Sequence, residues 1–322
     1  MRVFLAGATG AVGKRLVPLL LANGHVVTAM TRSREKAEEL RSSGVSAVVA
    51  DGLDRAAVLE AMSRARPEGV IHQMTSLASL RSFRRFDEDF AITNRLRTEG
   101  TDHLLEGACA AGARTFVAQS YGNWIYERTG TAPKTEEDRI DPSPPARQKK
   151  SLAAILYLER AVTQARDLAG VALRYGSLYG PGNGMGRGGA LMDMLRKRQF
   201  PIVGSGAGVW SFLHVDDAAS ANVAALERGA ESVAASGAGM RGIYNVCDDE
   251  PAPVAVWLPE LARAVGAPPP RHVPAWVARL AIGEVGVSMM TRIRGMSNAK
   301  AKRDLGWMPR WSSWRDGFRE AL

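Results

Sequence analysis

Three glycines near the amino terminus have the spacing of a loop that binds a pyrophosphate. Gly7, Gly10 and Gly13 lie in the segment GATGAVG, between the apolar segment RVFLAG and the helical pattern KRLVPLLLANG. The first glycine permits a tight turn, the second lets the backbone approach the phosphates, and the third lets helix and strand pack closely. The amino terminus of the following helix offers unpaired N–H groups to the anion. In this strand-to-helix context the glycines predict a dinucleotide site.

The end of the second predicted strand indicates which dinucleotide is bound. A carboxylate there would hold the ribose 2′-hydroxyl of NAD, but this sequence reads TAMTRSRE, with Thr31, Arg32, Ser33 and Arg34. A guanidinium pairs with a phosphate through a bidentate fork. Basic residues at a helix amino terminus oppose the helix dipole, which favours an anionic partner over a merely solvated helix start. We therefore expect NADP(H) rather than NAD(H).

The elements that position these groups alternate between strands and helices. This alternation predicts an α/β fold with a Rossmann-type, doubly wound parallel sheet. We expect a cofactor domain over residues 1–175, with its sheet completed by segments near 211–225 and 242–248. Residues 176–322 should mainly form a smaller C-terminal substrate lobe. Single helices are expected over about 86–111 and 151–169.

Composition excludes several other classes of protein. Of the 322 residues 46% are hydrophobic and 23% charged, and no apolar run is long enough to cross a membrane. The net charge of +9 is scattered, which argues against nucleic acid as a partner. Cys109 and Cys247 lie far apart, and the five histidines lack metal-ligand spacing. We expect a cytoplasmic protein without a metal, acting on a small molecule.

The order of motifs along the chain resembles the extended short-chain dehydrogenase/reductase superfamily, of the NAD(P)-dependent epimerase/dehydratase type. The resemblance covers nearly the full length and rests on GATGAVG, DGLD at 51–54, VIHQM at 70–74, Asn94 before EGT, LRYGSLYGPG, FLHVDDAA and YNVCDDEP. It implies a cofactor site along the carboxyl ends of the strands and a possible homodimer through the two long helices. The implied cofactor-binding residues are Gly7, Thr9, Gly10, Ala11, Val12, Gly13, Thr31, Arg32, Arg34, Asp51, Gly52, Leu53, Gln73, Met74, Thr75, Tyr175 and Ser177.

The chain departs from this family where the family's proton chemistry is carried. That chemistry needs Tyr-x-x-x-Lys on one helix face, where the lysine lowers the pKa of the tyrosine. Counting back from Glu159 places Ser151 at the tyrosine position and Ile155 at the lysine position. None of the six tyrosines is followed four residues later by lysine. The usual proton relay is therefore missing.

Three side chains are candidates to replace the missing acid. Ser120, at a predicted strand end, could hydrogen-bond a substrate carbonyl or merely bond the backbone. Tyr121 is the nearest phenol, and could equally pack as a pocket wall. Ser151 could handle a proton or only begin its helix. The substrate itself is expected to contact Asn123, Trp124, Tyr126, Arg187 and Trp210.

These features predict an NADPH-dependent oxidoreductase acting on a small carbonyl, imine or activated alkene, in which positioning replaces much of the missing acid. Two alternatives stay open. One is a lyase or isomerase that uses a tightly bound cofactor in a closed redox cycle. The other is a non-catalytic NADP(H)-binding sensor.

Overall fold

Seven parallel strands form the central sheet of the computed structural model, which describes residues 1–77, 83–237, 239–320 and 322. The strands are β1 (Arg2–Ala6), β2 (Val26–Thr31), β3 (Ser46–Val49), β4 (Gly69–His72), β5 (Thr115–Tyr121), β6 (Ala169–Tyr175) and β11 (Gly242–Val246). They lie in the order β11-β6-β5-β4-β1-β2-β3 across the sheet. The remaining short strands are β7 (Ser177–Tyr179), β8 (Ile202–Val203), β9 (Val209–Trp210), β10 (Phe212–His214), β12 (Ala252–Pro253) and β13 (His272–Val273).

Helices cover both faces of this sheet. They are α1 (Ala11–Ala22), α2 (Arg34–Ser42), α3 (Arg55–Ala65), α4 (Phe86–Asp89), α5 (Ala91–Arg97), α6 (Glu99–Ala110), α7 (Lys149–Gln164), α8 (Ala190–Arg196), α9 (Val215–Ser236), α10 (Val254–Ala264), α11 (Ala275–Thr291), α12 (Ala299–Leu305) and α13 (Trp314–Glu320). Short 3-10 helices span Phe83–Arg85 and Ala146–Gln148. The predicted Rossmann-type α/β fold is confirmed.

The two faces of the sheet have separate apolar cores. Leu5, Val117 and Leu173 pack against α1 and α9 on one face, whereas Phe4 and Phe116 pack against α3, α6 and α7 on the other. Strands buried on both faces read as continuous apolar runs, which is why RVFLA and AGVAL are so uniform in sequence. The carboxyl ends of these strands meet at one edge, where the site residues lie.

Three elements differ from the sequence-based expectation, the first being the helix expected over 151–169, which is α7 and ends at Gln164. The single helix expected over 86–111 is divided into α4, α5 and α6, with breaks at Phe90 and Thr98. The Thr98 hydroxyl donates to the carbonyl oxygen of Asn94 at 3.1 Å, and such side-chain bonds compete with regular helix. The segment near 211–225 contributes α9 to a face of the sheet, while its strand β10 pairs with β7 and not with the main sheet. The segment near 242–248 does join the sheet, as β11.

A third apolar cluster, rich in aromatic rings, joins the C-terminal segments to the sheet domain. Trp210, Phe212 and Trp257 lie within 6.3 Å of one another by ring centroids, and Trp314 and Phe318 extend the cluster. Tryptophans of the last quarter are thus mostly packed inside. Within the described residues no helix is both long and apolar enough to cross a membrane.

Candidate active site

The glycine loop has the geometry of a phosphate cradle. Gly7 has φ +94°, and a Cβ there would lie 2.6 Å from the carbonyl carbon and oxygen of Gln73. A Cβ at Gly13 would collide with the Gly7 carbonyl oxygen, so α1 approaches the turn at a distance that only glycine permits. Gly10 is the N-cap of α1 and provides no side-chain cap. The first N–H groups of α1 are therefore left for an anion. Beside them lie Thr9, Ala11 and Val12.

The basic turn after β2 is open to solvent. Arg32 and Arg34 are exposed, and in the described part of the chain neither forms a hydrogen bond or an ion pair. Ser33 caps α2 by accepting from the Lys36 N–H at 3.2 Å. The neighbouring Thr31 is buried, and its Oγ1 accepts from the Ser33 N–H at 3.3 Å. The arginines thus project from a fixed turn without protein partners.

The residues expected near the adenine and along the cofactor surround the ends of β3 and β4. Asp51 folds its own turn, since its carboxylate accepts from the Leu53 N–H at 3.0 Å. Gly52 lies against Met74, whose sulfur would collide with a Cβ there. Thr75 is half-buried just beyond. These positions fit a cofactor that crosses the carboxyl ends of the strands.

Gln73 and Tyr175 are tied to each other beneath that edge. The Gln73 amide donates to Asn222 Oδ1 at 2.8 Å and to the Tyr175 hydroxyl at 3.2 Å, and Asn222 also donates to that hydroxyl. Burial raises the pKa of Tyr175, so its phenol stays protonated. Only backbone groups of Gln73 and Tyr175 remain to face a cofactor, because both side chains are turned inward.

At the start of α7, Ser151 and the N–H groups beside it have partners inside the protein. The Ser151 hydroxyl donates to Asp87 Oδ1 at 2.6 Å and accepts from Asn94 Nδ2 at 3.1 Å. The Ser151 and Lys150 N–H groups donate to the same Asp87 carboxylate at 2.8 and 3.0 Å. Asp87 thus caps α7 from α4. The hydroxyl of Ser151 is fully buried in this arrangement and is not presented to a substrate.

The position at which the family has its lysine lies in the apolar core of this protein. Ile155 is 0% exposed and belongs to the apolar cluster that includes Trp124 and Leu152. Phe86 of α4 packs edge-on against Trp124, with ring centroids 5.5 Å apart. The proton-relay face is thus replaced by packed hydrocarbon, which has no group to exchange a proton.

Ser120 belongs to a buried ionic network on the α7 side of the sheet. Its hydroxyl donates to Glu159 Oε1 at 2.7 Å, and Arg174 donates to both oxygens of the same carboxylate, each at 2.7 Å. Arg174 also donates to the Tyr126 hydroxyl at 2.8 Å, which in turn donates to Asn245 at 2.6 Å. Burial alone would lower the pKa of Arg174, but the hydrogen bonds and charge of Glu159 raise it.

Tyr121, the last residue of β5, remains as a phenol at the carboxyl edge of the sheet, the side on which ligands of this fold bind in a cleft. It is partly buried, and its hydroxyl lies 3.3 Å from Ser177 Oγ. Asn123 fixes this serine by donating to Ser177 Oγ at 2.8 Å, while its own Oδ1 accepts from the Ser211 N–H at 2.9 Å. Burial raises the pKa of Tyr121, against the opposing effects of Ser177, Asn123 and the charge of Arg97. The phenol is therefore neutral at physiological pH and could act as a donor, not as a base.

The other expected substrate residues are not brought together. Trp124 and Tyr126 are buried, the first against Phe86 and the second in the Arg174 network. Trp210 is buried in the C-terminal cluster, where its indole donates to the Met289 carbonyl at 2.9 Å. Arg187 is exposed and donates to the carbonyl oxygen of Leu322 at 3.2 Å.

Sequence reasoning missed three polar residues of this region. Arg174 interrupts an otherwise apolar strand, VALRY, and such a charge needs a buried partner, so this signal was readable. Asp87 and Arg97 lie in a helical stretch full of charges, where nothing marks them as buried or as capping. Only the division of that stretch into α4, α5 and α6 turns them inward.

Comparison with known proteins agrees with this geometry. A sequence profile of the NAD dependent epimerase/dehydratase family matches residues 3–247. A Streptomyces sp. protein described as 3-diazoavenalumate denitrifying reductase is 47% identical over 321 residues, covering 99% of each chain. A 2-alkyl-3-oxoalkanoate reductase of Stenotrophomonas maltophilia (strain K279a) is 26% identical, covering 97% of this chain and 96% of that one. The structure of Thermus thermophilus UDP-glucose 4-epimerase in complex with NAD superposes with a TM-score of 0.70 at 25% identity, covering 100% of both chains.

The chain belongs to the NAD dependent epimerase/dehydratase family. The predicted family is thereby confirmed, and the reductases among its relatives support the expected oxidoreductase class. A nicotinamide cofactor is supported by the family and by the glycine cradle together. The roles of individual residues and the choice of NADP(H) over NAD(H) remain predictions.

Proposed function

We propose that this protein is an NADPH-dependent oxidoreductase that reduces a small organic electrophile without proton delivery from α7. The observation that carries the proposal is that the family's tyrosine and lysine positions on α7 hold side chains that cannot deliver a proton. Ser151 is bonded to Asp87 and Asn94, and Ile155 is wholly buried. The cofactor end keeps its cradle, and Arg32 and Arg34 are free to meet the 2′-phosphate of NADPH.

The missing relay restricts the substrate class. Reduction of a ketone creates an alkoxide, which needs a proton from a positioned acid. A substrate that loses a leaving group together with its bonding electron pair forms no alkoxide and needs no proton. When bound, reduced nicotinamide supplies a hydride, so the balanced reaction with an aryl diazonium ion yields the arene, N2 and oxidised cofactor, with no proton taken up. The C–N bonding pair leaves with N2 as the C–H bond forms.

An aromatic diazo compound that reacts as its diazonium form is the substrate that we propose. The Streptomyces relative at 47% identity is described as acting on a diazo compound with loss of nitrogen, which supports the assignment. The chain's own residues would orient the substrate and exclude water. Asn123 holds Ser177 and Tyr121 along one polar wall of the cleft, while Trp124 and Phe86 build the apolar packing behind it. Orientation in a water-poor cleft is itself a large part of catalysis.

The proton balance of the reaction tests this proposal. The purified protein, NADPH and 4-methoxybenzenediazonium are mixed in weak buffer with a pH indicator, and the uncatalysed reaction is subtracted. We expect N2 release and anisole formation in step with NADPH oxidation, no proton uptake, and transfer of deuterium from deuterated NADPH to the ring. Uptake of one proton per NADPH, or no turnover above the uncatalysed reaction, would contradict the diazo assignment.

A second candidate is reduction of a carbonyl, imine or activated alkene with Tyr121 as the acid. The position of its phenol beside Ser177 favours it, and so does the similarity to a 2-alkyl-3-oxoalkanoate reductase. On a β-keto acid, Tyr121→Phe should then lower kcat by at least ~100-fold, within the range for loss of a general acid. On a diazonium substrate the same variant should stay within ~3-fold of the wild type, because no acid is required.

The remaining alternatives give different signals in the same assays. An epimerase or dehydratase with a closed redox cycle would retain its nucleotide through purification and oxidise no added NADPH. A sensor would bind NADPH without consuming it. A cytoplasmic location and a homodimer through the helices of residues 86–111 and 151–169 also stay predictions, to be checked by cell fractionation and by light scattering.

A further inference from the structure

Arg97, the last residue of α5, is a buried cation. It is 5% exposed, and within residues 1–77, 83–237, 239–320 and 322 its guanidinium donates no hydrogen bond and forms no ion pair. Its Nη1 is fully buried and unsatisfied. The nearest aromatic face is that of Phe90, whose ring centroid lies 6.0 Å from the Arg97 Cζ. A charge taken out of water without a partner is strongly unfavourable, so a missing anion is the expected explanation.

The end of α5 is fixed beside the reaction site. His72, at the end of β4, donates from Nε2 to the carbonyl oxygen of Leu96 at 3.2 Å. One turn earlier, Asn94 donates to Ser151 on α7. Burial lowers the pKa of His72 to about 4, so this histidine is neutral and adds no competing charge. Arg97 is therefore held between the carboxyl end of β4 and the first turns of α7.

Glu159 is not the partner of Arg97. Its charge acts on the guanidinium from a distance, but both of its oxygens already accept from Arg174, and one also accepts from Ser120. Tyr121 is close enough to influence the pKa of Arg97, but its own pKa is raised, so it is neutral and provides no negative charge. Burial lowers the pKa of Arg97 to about 10, so it is still charged at neutral pH.

We propose that Arg97 binds an anionic oxygen of a ligand in the cleft beside Tyr121. The oxygen belongs to a carboxylate or phenolate of the substrate, or to a phosphate of the cofactor. Arg97 thereby supplies from α5 a cation that the family places on α7 and that Ile155 cannot provide. The substrate source rests on the reductase function proposed above, whereas the cofactor source requires only that NADPH binds.

The test compares a neutral and a charged replacement in the full-length protein. Arg97→Met keeps the length of the side chain and removes the charge, and Arg97→Lys keeps the charge. Arg95→Met is the matched control, since Arg95 is exposed on the same helix and pairs with Glu99. Dissociation constants are measured for NADPH on the empty protein, and for benzoate and uncharged benzamide on the protein saturated with NADP⁺.

A cofactor phosphate as the source predicts that Arg97→Met weakens NADPH binding at least 10-fold. A substrate oxygen predicts unchanged NADPH binding, a loss of at least 10-fold for benzoate, and no change for benzamide. In either case Arg97→Lys should recover part of the loss, and Arg95→Met should stay within 2-fold of the wild type.

Arg97→Met with both NADPH and benzoate affinities within 2-fold of wild type would overturn the proposal. So would a wild type that binds no benzoate together with unchanged NADPH affinity in the variant, or an equal loss for benzoate and benzamide. Should Arg97→Met fail to fold, Arg97→Gln takes its place with the same criteria. Because these are binding measurements, a wild type that reduces no diazo compound would refute the reductase proposal and leave this test intact.

Discussion

The glycine loop and the start of α7 lie at the same edge of the sheet and differ in what they leave unsatisfied. In the glycine loop, Gly10 leaves the first N–H groups of α1 uncapped, and Gly7 and Gly13 have no room for side chains. At the start of α7 the corresponding N–H groups of Lys150 and Ser151 have an internal partner. Asp87 accepts from two N–H groups and from the Ser151 hydroxyl, and Ile155 is enclosed in core.

This difference separates the two halves of dehydrogenase chemistry. A loop that leaves helical N–H groups uncapped, at glycines with no room for side chains, is suited to bind an anion. At the start of α7 the Ser151 hydroxyl is bonded to Asp87 and Ile155 is buried, so neither side chain is placed to give a proton to a substrate. The molecule has the geometry to hold a hydride donor, and in this region it lacks the means to exchange a proton with the product.

The largest effect on cofactor binding should come from closing the glycine loop. Gly7→Ala places a Cβ 2.6 Å from the Gln73 carbonyl at a φ of +94°, so the turn must move away from the phosphate position. We expect NADPH binding to weaken by at least ~100-fold, about 3 kcal/mol, measured by fluorescence titration. Gly24→Ala is the control, since Gly24 has φ +74° with open space around it. If both variants bound NADPH like the wild type, the loop would not be the phosphate site.

The largest effect on stability should come from the ionic network that links β5 and β6 to α7. Glu159→Leu leaves Arg174 buried without its carboxylate, which should destabilise the protein by about 3–5 kcal/mol in urea unfolding. The double variant Glu159→Leu/Arg174→Met removes both charges and should recover most of that loss. A double variant as unstable as the single one would show that packing, and not the unpaired charge, dominates.

Loss of a basic side chain after β2 should change the preference for NADPH over NADH by a smaller amount. Arg32→Ala removes one charge-assisted contact to the 2′-phosphate, so we expect the NADPH dissociation constant to rise about 10- to 100-fold, equivalent to ~1.5–3 kcal/mol. NADH binding should not change. Arg41→Ala is the control, since Arg41 is an exposed arginine of α2, the helix that follows Arg32, and pairs with Glu38. If NADPH and NADH binding weakened equally, Arg32 would act through its general charge and not through contact with the 2′-phosphate.

These two regions were not equally readable in the sequence. The glycine spacing, the alternation of strands and helices and the lack of Tyr-x-x-x-Lys are local patterns, and the fold and the cofactor edge follow from them. The hydrogen bond from Ser120 to Glu159 and the capping of α7 by Asp87 both join residues that are distant in the sequence. Arg97 likewise has a buried Nη1 without a hydrogen bond because α5 packs between β4 and α7, which the local sequence does not indicate. Long-range packing decided which polar groups face the cleft.

The smallest effect is expected at Ser151, which occupies the tyrosine position of the family. Ser151→Ala removes a buried hydroxyl bonded to Asp87 and Asn94, and should lower the free energy of unfolding by about 1–3 kcal/mol. The kcat for NADPH oxidation should stay within ~3-fold of the wild type, because this hydroxyl does not reach a substrate.

Asn94→Ala is the matched control for Ser151→Ala, because it breaks the same contact from the α5 side. If Ser151 is structural, both variants should lose stability by similar amounts and keep their turnover. A fall in kcat of more than ~50-fold in Ser151→Ala alone, at unchanged stability, would show that Ser151 handles a proton. The contrast between an open cofactor loop and a closed relay site would then fail, because the start of α7 would have to open during turnover to let that hydroxyl reach the substrate.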